Sequence, residues 1–141
     1  MSLWILDTDH ISLFLAGNKL VMAQVGKHSK NVAITVITVQ ELFNGWNGRI
    51  NDPKQADRLS FLYTKLWKTT NFIKSITILN FDSEAENCYL NLRLDYKHLA
   101  KKRIAKDMRI AAIALTQNAI VATRNQKDFS QVPGLTIENW A

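Results

Sequence analysis

The sequence contains few residues that form disulfides or interrupt helices and strands, and it has no long apolar segment. Its 141 residues include one cysteine, Cys88, two prolines and five glycines. A single cysteine excludes an internal disulfide and favours a reducing compartment. No apolar run reaches the roughly 18–20 residues of a membrane span, and no basic segment precedes a long apolar stretch at the N-terminus, as it would in a secretory signal. We therefore expect a cytoplasmic protein without a membrane anchor.

Acidic residues are also in the minority. Asp and Glu total 12 against 18 Lys and Arg, which gives a formal net charge of +6 at pH 7. This balance favours an acidic partner, either nucleic acid or an acidic protein segment, although it also fits an ordinary basic surface. The length and the hydrophobic share of 47% suit one compact domain that spans residues 1–141.

Apolar runs alternate with helical patterns along the chain. Five runs predict strands, at residues 3–6, 32–36, 76–79, 119–123 and, more weakly, 135–137. Six stretches have helical periodicity, at about 9–16, 19–28, 38–48, 53–73, 82–98 and 107–117, and Asn118 is expected to end the last of them. This alternation predicts an α/β fold whose mainly parallel sheet is covered by helices on both faces.

Four acidic residues follow predicted strands or open the helices beside them. Asp7 comes directly after the first strand, and Glu41 lies in the first turn of the helix after the second. Asp107 opens the helix that leads into strand 119–123, and Asp128 follows that strand. In right-handed β-α-β units the strands end and the helices begin at one edge of the sheet. We therefore expect the four carboxylates to lie at the same edge.

Most of these acids have a structural explanation when each is taken alone. Thr38 and Glu41 fit a capping box, in which Thr38 caps the helix and Glu41 reaches back to it. Asp107 could simply favour the positive end of a helix dipole. Asp9 could cap the first helix, and Asp128 could stabilise a turn.

Together, the acids indicate a site for a hard divalent cation. Crowded carboxylates raise one another's pKa unless a cation lies between them, and Mg²⁺ prefers oxygen ligands. The histidines, His10, His28 and His98, are scattered, so zinc is not indicated, although His10 is near enough to the acids to take part. An acidic metal cluster in a basic protein suits the cleavage of phosphodiester bonds.

Basic residues flank two of the acids and are candidates for contact with a nucleic acid. They are Lys101, Lys102, Arg103, Lys106, Arg109, Arg124 and Lys127. Such charge runs are also common on solvated surfaces. Trp46 and Trp67 could stack on bases, or could serve in the core or at a partner interface.

Four stretches together resemble the PIN-domain nucleases, and more narrowly the VapC-like toxins of bacterial type II toxin–antitoxin pairs. They are WILDTDHIS, ITVQEL with Gly45 shortly after it, KDMRIAAIAL, and VATRNQKDFSQVPGLTIENW, and they occur in the family's order across essentially the whole chain. DxD and QEL are weak signals alone, whereas DxxIAAxAL followed by TRNxxDF and VPGL is much more specific. The resemblance implies a PIN-like three-layer α/β/α sandwich with a mainly parallel central sheet of about five strands.

The resemblance also implies which residues bind metal. Asp7, Glu41 and Asp107 match the core metal-binding acids of the family. The fourth acidic place falls at Asn125 or at Asp128, because relatives use either position, and we favour Asp128. The residues expected to support the site are Thr8, Asp9, Thr38, Thr123 and Asn125.

Two positions depart from the family pattern. Asp9 stands where many relatives have an uncharged polar residue, so it is expected to support the site or to cap the helix. Lys106 stands where a small or polar residue is typical. It could lower the pKa of Asp107, contact the substrate or face solvent.

The function that the resemblance implies is endoribonuclease activity with Mg²⁺ or Mn²⁺ as the cofactor. Water would attack phosphorus in line and leave 5′-phosphate and 3′-hydroxyl ends. The family also implies inhibition of translation, neutralisation by a small antitoxin, and assembly as a homodimer or as a heteromeric complex with the antitoxin.

Three other functions fit parts of the sequence. A PIN-like fold could bind RNA or protein without turnover, but clustered acids do not help a protein to bind a polyanion. A haloacid-dehalogenase-type phosphatase shares the strand followed by DxD, but Ile11 stands where that family has Thr or Val, and no later Gly-Asp pair is present. A phosphoacceptor signalling domain needs an Asp after the middle strand, where this chain has Asn80 and Phe81.

Overall fold

The central sheet has five strands. A computed structural model describes residues 2–141 of the chain. The strands are β1 (Trp4–Leu6), β2 (Val32–Thr35), β3 (Thr77–Leu79), β4 (Ile120–Ala122) and β5 (Thr136–Glu138). They pair in the order β3-β2-β1-β4-β5, and every neighbouring pair is parallel. The five predicted strands are confirmed, and each observed boundary lies within one residue of the predicted one.

Seven α-helices surround this sheet in the described part of the chain. They are α1 (Thr8–Leu15), α2 (Lys19–Lys27), α3 (Val36–Ile50), α4 (Leu59–Ser75), α5 (Ser83–Asp95), α6 (Ala105–Gln117) and α7 (Gln126–Phe129). The six predicted helices are present, although the one expected at 53–73 begins as a 3-10 turn over Pro53–Arg58. Helix α7 was not predicted, because four residues are too few for an apolar period. None of the described helices is long and apolar enough to cross a membrane.

Polar side chains begin four of the helices. Asp7, Asn18, Thr35 and Asp82 each accept a hydrogen bond from a backbone N–H in the first turn of the helix that follows. Such caps satisfy N–H groups that have no partner inside the helix. Helix α6 ends as expected at Asn118, which adopts the left-handed conformation with φ of 52°.

Thr38 and Glu41 do not form a capping box, which was the structural alternative to a metal-binding role for Glu41. Helix α3 begins at Val36, directly after β2, so Thr35 is its N-cap and its hydroxyl accepts from the Thr38 N–H at 3.3 Å. Glu41 therefore lies in the second turn, and its side chain is free to interact with another helix. The sheet determines this start, because β2 ends at Thr35 and the chain turns into α3 without a loop.

Two hydrophobic clusters cover the two faces of the sheet. On one face Ile5 and Val121 pack with α5 and α6, and on the other Leu6 and Ala122 pack with α1, α2 and α3. Successive strand residues point to opposite faces, so neighbouring residues of β1 and β4 serve different clusters. A fully buried Ile or Leu contributes about 1.5–3 kcal/mol. The expected three-layer α/β/α arrangement follows from this two-sided burial.

The strand order creates a crevice between β1 and β4. The chain moves from β1 to β2 and β3 on one side, whereas β4 and β5 lie on the other side of β1. In open parallel sheets, ligands bind where the direction of the strand order changes, beyond the carboxyl ends of the strands. At this place the Asp7 N–H donates to the carbonyl of Ala122 at 3.1 Å, which joins the ends of the two strands.

Candidate active site at the carboxyl edge of the sheet

Asp7 is a buried carboxylate at the end of the central strand. Only 4% of the residue is exposed, and its two oxygens accept from the His10 N–H at 2.9 Å and from the Thr123 hydroxyl at 2.6 Å. Burial raises the pKa of Asp7 from 3.8 to about 6, and the charges of Asp9 and Asp107 add to the rise, while the two hydrogen bonds oppose it. The carboxylate is thus held in one orientation beside other acids.

Asp107 lies in the first turn of α6 and is oriented by Asn125. The Asn125 amide nitrogen donates to Asp107 Oδ2 at 2.9 Å and to Asp128 Oδ2 at 2.9 Å. An amide has two hydrogens to donate, so one side chain can satisfy both acids. Burial raises the pKa of Asp107, the charges of Glu41 and Asp128 add to this, and the Asn125 hydrogen bond opposes it.

Glu41 is held by two threonines. The Thr8 hydroxyl donates to Glu41 Oε1 at 2.7 Å, and the Thr8 and Thr38 hydroxyl oxygens are 3.0 Å apart. Because a hydroxyl has one hydrogen, and that of Thr8 is directed to Glu41, Thr38 is the donor to Thr8. This chain of hydrogen bonds fixes Glu41 on α3 near enough to Asp107 for its charge to raise the pKa of that acid.

Asp128 belongs to the same edge but has a different environment. It is buried, and the Arg103 guanidinium donates to both of its oxygens, at 3.1 and 3.2 Å. Arg103 is the main cause of a lowered pKa, and Asn125 adds to the effect. The carboxylate of Asp128 is therefore ionised and already neutralised by a cation, in contrast to Asp7 and Asp107.

Asp9 forms an ion pair on the rim of the site. The Arg124 guanidinium donates to its two oxygens at 2.7 and 2.8 Å, and this contact lowers the pKa of Asp9. The structure excludes Asp9 as the cap of α1, because Asp7 occupies that position. The pair connects the start of α1 to the segment after β4 and keeps one cation beside the acids.

His10 lies next to Asp7, and its hydrogen bonds define its protonation. Among residues 2–141, Asp7, Asp9 and His10 offer metal-ligand atoms that all lie within 4.8 Å of one another. However, His10 Nε2 accepts from the Trp140 N–H at 3.1 Å, so Nδ1 carries the proton of the neutral ring and is not available to a metal. Nδ1 lies 3.6 Å from Asp7 Oδ1 and has no hydrogen-bond partner.

The basic candidates divide into paired and free side chains. Arg103 and Arg124 are ion-paired to acids of the site. Arg109 lies with its guanidinium 5.6 Å from the centre of the Tyr89 ring, which indicates a packing role. The remaining candidates are exposed and form no ion pair with a carboxylate of the described residues; they are Lys101, Lys102, Lys106 and Lys127.

The donor set fits a hard divalent cation. Asp7, which is buried, and Asp107, which is half-buried, have a raised pKa because of desolvation and nearby acids, and within residues 2–141 neither forms an ion pair with Lys or Arg. Asp107 Oδ1 and Glu41 Oε2 accept no hydrogen bond from the described residues. The four predicted acids are more widely spaced than the 4.8 Å group around Asp7. A cation between the carboxylates would relieve their repulsion.

Several contacts at this site join residues that are far apart in the sequence and could not be predicted from it. The bonds of Arg103 to Asp128, and of Trp140 to His10, join residues 25 and 130 positions apart. The only available signal was that each of the four residues lies inside or beside a recognised motif. Pairing between them depends on how the helices, the turn before α6 and the C-terminal segment pack, which no local pattern reports.

Comparison with known proteins places this geometry in one family. The chain matches no family model. It is 31% identical over 137 residues to ribonuclease VapC1 of Rickettsia felis, covering 94% of this chain and 92% of that protein. It is 24% identical over 140 residues to the tRNA(fMet)-specific endonuclease VapC of Shigella flexneri, covering 98% of each. DNA-bound VapBC from Salmonella typhimurium contains a chain that superposes with a TM-score of 0.81, at 21% identity and over 100% of both chains.

Proposed function

The chain belongs to the VapC ribonuclease family, and from this premise we propose that it is a metal-dependent endoribonuclease and the toxin of a toxin–antitoxin pair. The observation that carries the proposal is the meeting of Asp7, Glu41 and Asp107 at one edge of the sheet, where burial and mutual charge raise the pKa of two of them. Such unneutralised carboxylates suit a divalent cation and are of no use to a protein that only binds RNA.

In this proposal Asp7, Glu41 and Asp107 hold Mg²⁺ or Mn²⁺. The ion, when bound, supplies activation of water and neutralisation of the scissile phosphate. The Thr123 hydroxyl holds Asp7, the Thr8 hydroxyl holds Glu41, and the Asn125 amide holds Asp107. These contacts fix the ligand oxygens before substrate arrives, which avoids the cost of ordering them during the reaction.

Asp128 is proposed as the fourth acid, acting with Asn125. It aligns the Asn125 amide and holds Arg103 at the edge of the site. Because Arg103 is largely exposed, its guanidinium can turn towards a phosphate of the substrate and leave Asp128 to complete the acidic group. Asn125 and Asp128 thus share the function that relatives place at one position or the other.

RNA is the proposed substrate, and transfer RNA is the first to test. The Shigella flexneri relative is named as a tRNA(fMet)-specific endonuclease. The exposed lysines near Asp107 and Asp128 provide positive charge for the sugar–phosphate backbone. Loss of initiator tRNA would inhibit translation, as expected of a toxin that acts in the cytoplasm.

An antitoxin and a second copy of the chain are the proposed protein partners, with residues 1–141 forming one PIN domain. Exposed apolar side chains are available for these interfaces. Phe61, Tyr63 and Trp67 are exposed on α4, and Leu90 and Leu94 on α5. Exposed aromatic and aliphatic groups of this size are typical of protein interfaces.

The test is cleavage of initiator tRNA and total cellular RNA by the purified chain with Mg²⁺, with Mn²⁺ and with EDTA. We expect discrete fragments that require the metal, and a loss of more than about 100-fold in rate for Asp107→Asn. Asp57→Asn is the matched control, because Asp57 is exposed and outside the site. Fragments that persist in EDTA, or that Asp107→Asn produces at the wild-type rate, would contradict the proposal. RNA binding without cleavage in any metal would favour a binding module.

A further inference from the structure

A cavity between α1, α3 and α4 opens beside the acidic site. Its volume is about 360 Å³, within the range of about 300–1,000 Å³ typical of ligand pockets. Thr8 and Glu41, which belong to the candidate active site, line one end of it. A ligand that occupies the cavity therefore lies against Glu41 of the candidate active site at one end.

The far end of the cavity is positively charged. Arg49, Lys65 and Lys68 line it, and none of them forms an ion pair with a carboxylate of residues 2–141. Glu41 is the only acidic residue in the lining, and Arg49 lies two helical turns further along α3, about 12 Å at 1.5 Å per residue. Negative charge therefore lies at the catalytic end and positive charge at the other.

A tryptophan forms a rigid flat surface in the same cavity. The Trp46 indole N–H donates to the Thr69 hydroxyl at 3.0 Å, and the Thr69 hydroxyl donates to the Lys65 carbonyl at 2.9 Å, which fixes the ring on α4. The Arg49 guanidinium lies 4.9 Å from the centre of the Trp46 ring. Indole and guanidinium planes both stack on nucleobases.

We infer that this cavity is a nucleotide subsite, which binds the RNA strand next to the phosphate that is cut. A base stacks on Trp46 or on the guanidinium above it, and the flanking phosphates contact Arg49, Lys65 and Lys68. The inference rests on the proposed function for the identity of the ligand as RNA. A cavity lined by three cations without ion pairs and by one indole ring fits a polyanion with flat bases better than it fits an apolar peptide.

The first experiment measures binding of a short single-stranded oligoribonucleotide by fluorescence anisotropy in EDTA, so that cleavage does not interfere. Arg49→Gln with Lys68→Gln should weaken binding about 5-fold for each lost phosphate contact at 0.1 M salt, and should reduce the log–log salt slope by about 0.7 per contact. Lys54→Gln with Lys74→Gln is the matched control, with the same change in net charge at exposed positions outside the cavity. The control should keep the wild-type slope.

The second experiment fills the cavity. Gly45 lines it, and a Cβ at Gly45 would meet no atom within 4 Å, so Gly45→Leu places a side chain in the open space. Leu is a better helix former than Gly, so the variant retains the fold. Gly48→Leu makes the same change on α3 outside the cavity lining. We expect Gly45→Leu to weaken oligoribonucleotide binding at least 5-fold and Gly48→Leu to leave it unchanged.

The outcomes separate this inference from the proposed function. Weaker RNA binding by both cavity variants, with unchanged controls, supports the subsite even if the wild type cleaves no RNA in any metal. Wild-type affinity and salt slope in both cavity variants overturn the subsite, even if cleavage is metal-dependent, and leave the cavity to a protein segment.

Discussion

The Thr123 hydroxyl donates a 2.6 Å hydrogen bond to Asp7 Oδ2, across 116 positions of sequence. It joins the carboxyl ends of β1 and β4, the two strands that flank the crevice. Thr123 is fully buried, and its oxygen also accepts from the Asn125 N–H at 2.8 Å. One hydroxyl therefore fixes the acid on β1 and the backbone of the residue whose amide orients Asp107.

Replacing Thr123 tests whether this contact positions Asp7. Thr123→Val removes a hydrogen bond that lowers the pKa of Asp7, so that pKa should rise above about 6. We expect cleavage to fall about 10- to 100-fold and the acidic limb of its pH profile to move to higher pH. Thr123→Ser keeps the hydroxyl and should restore both. A uniform loss of rate with an unchanged pH profile in Thr123→Val would point to a packing role.

The stability of the metal-free protein should fall as pH rises because of Asp7. The pKa of Asp7 is raised from its ordinary value of 3.8 to about 6 in the folded chain. The folded state therefore holds the proton more tightly than the unfolded state does. The stabilisation by that proton is complete below pH 3.8 and is lost as pH rises through 6. The penalty above pH 6 is about 3 kcal/mol, at about 1.4 kcal/mol per tenfold change in the acid constant.

Asp7→Asn removes this penalty and keeps a good helix cap. At pH 7.5 in EDTA the free energy of unfolding of the variant should exceed that of the wild type by about 1–2 kcal/mol, because the lost hydrogen bonding offsets part of the removed penalty. Near pH 4 the variant should be no more stable than the wild type. Thermal melts at both pH values would measure the difference, beside Asp57→Asn as an exposed control. An equal effect of Asp7→Asn at the two pH values would contradict the raised pKa.

Addition of Mg²⁺ should stabilise the protein more at high pH than at low pH. A metal binds the deprotonated carboxylates, and Asp7 and Asp107 both hold protons more tightly than usual. At a Mg²⁺ concentration 100 times the dissociation constant, the free energy of unfolding should increase by about 2.7 kcal/mol above pH 6. This increase should become smaller below pH 6. The melting temperature with and without about 5–10 mM Mg²⁺, a concentration suited to a weak site, would measure this stabilisation. Asp107→Asn should abolish the gain.

Arg103 and Asp128 should act as a pair. Arg103→Ala leaves a buried carboxylate without its cation, so the pKa of Asp128 should rise towards and above its usual value. We expect a loss in cleavage of about 10-fold, with incomplete rescue by Arg103→Lys, because lysine cannot donate to both oxygens in the same plane. In a double-mutant cycle with Asp128→Asn, the losses should be less than additive. A loss for Asp128→Asn as large as that for Asp107→Asn would indicate direct metal binding by Asp128.

The sequence by itself determined the positions of the five strands and the edge at which the acids gather. An apolar, β-branched run such as VAITV predicts a buried strand. A parallel sheet with right-handed connections then places the strand ends at one edge. Helix α7, only four residues long, left no period to detect. The motif around Asp107 indicated the family, but it did not show which residues contact Asp107.

Only the tertiary structure decided which partner each acid has. The pattern at Thr38 and Glu41 fits a cap, but β2 passes directly into α3, so Glu41 bonds to Thr8 on another helix. Asp128 and Asp9 have identical side chains and each forms a two-bond ion pair with an arginine, yet Asp128 is buried and Asp9 is exposed. Sequence patterns record local spacing, whereas burial, pKa and pairing depend on the distances between elements that meet only when the sheet and its helices pack.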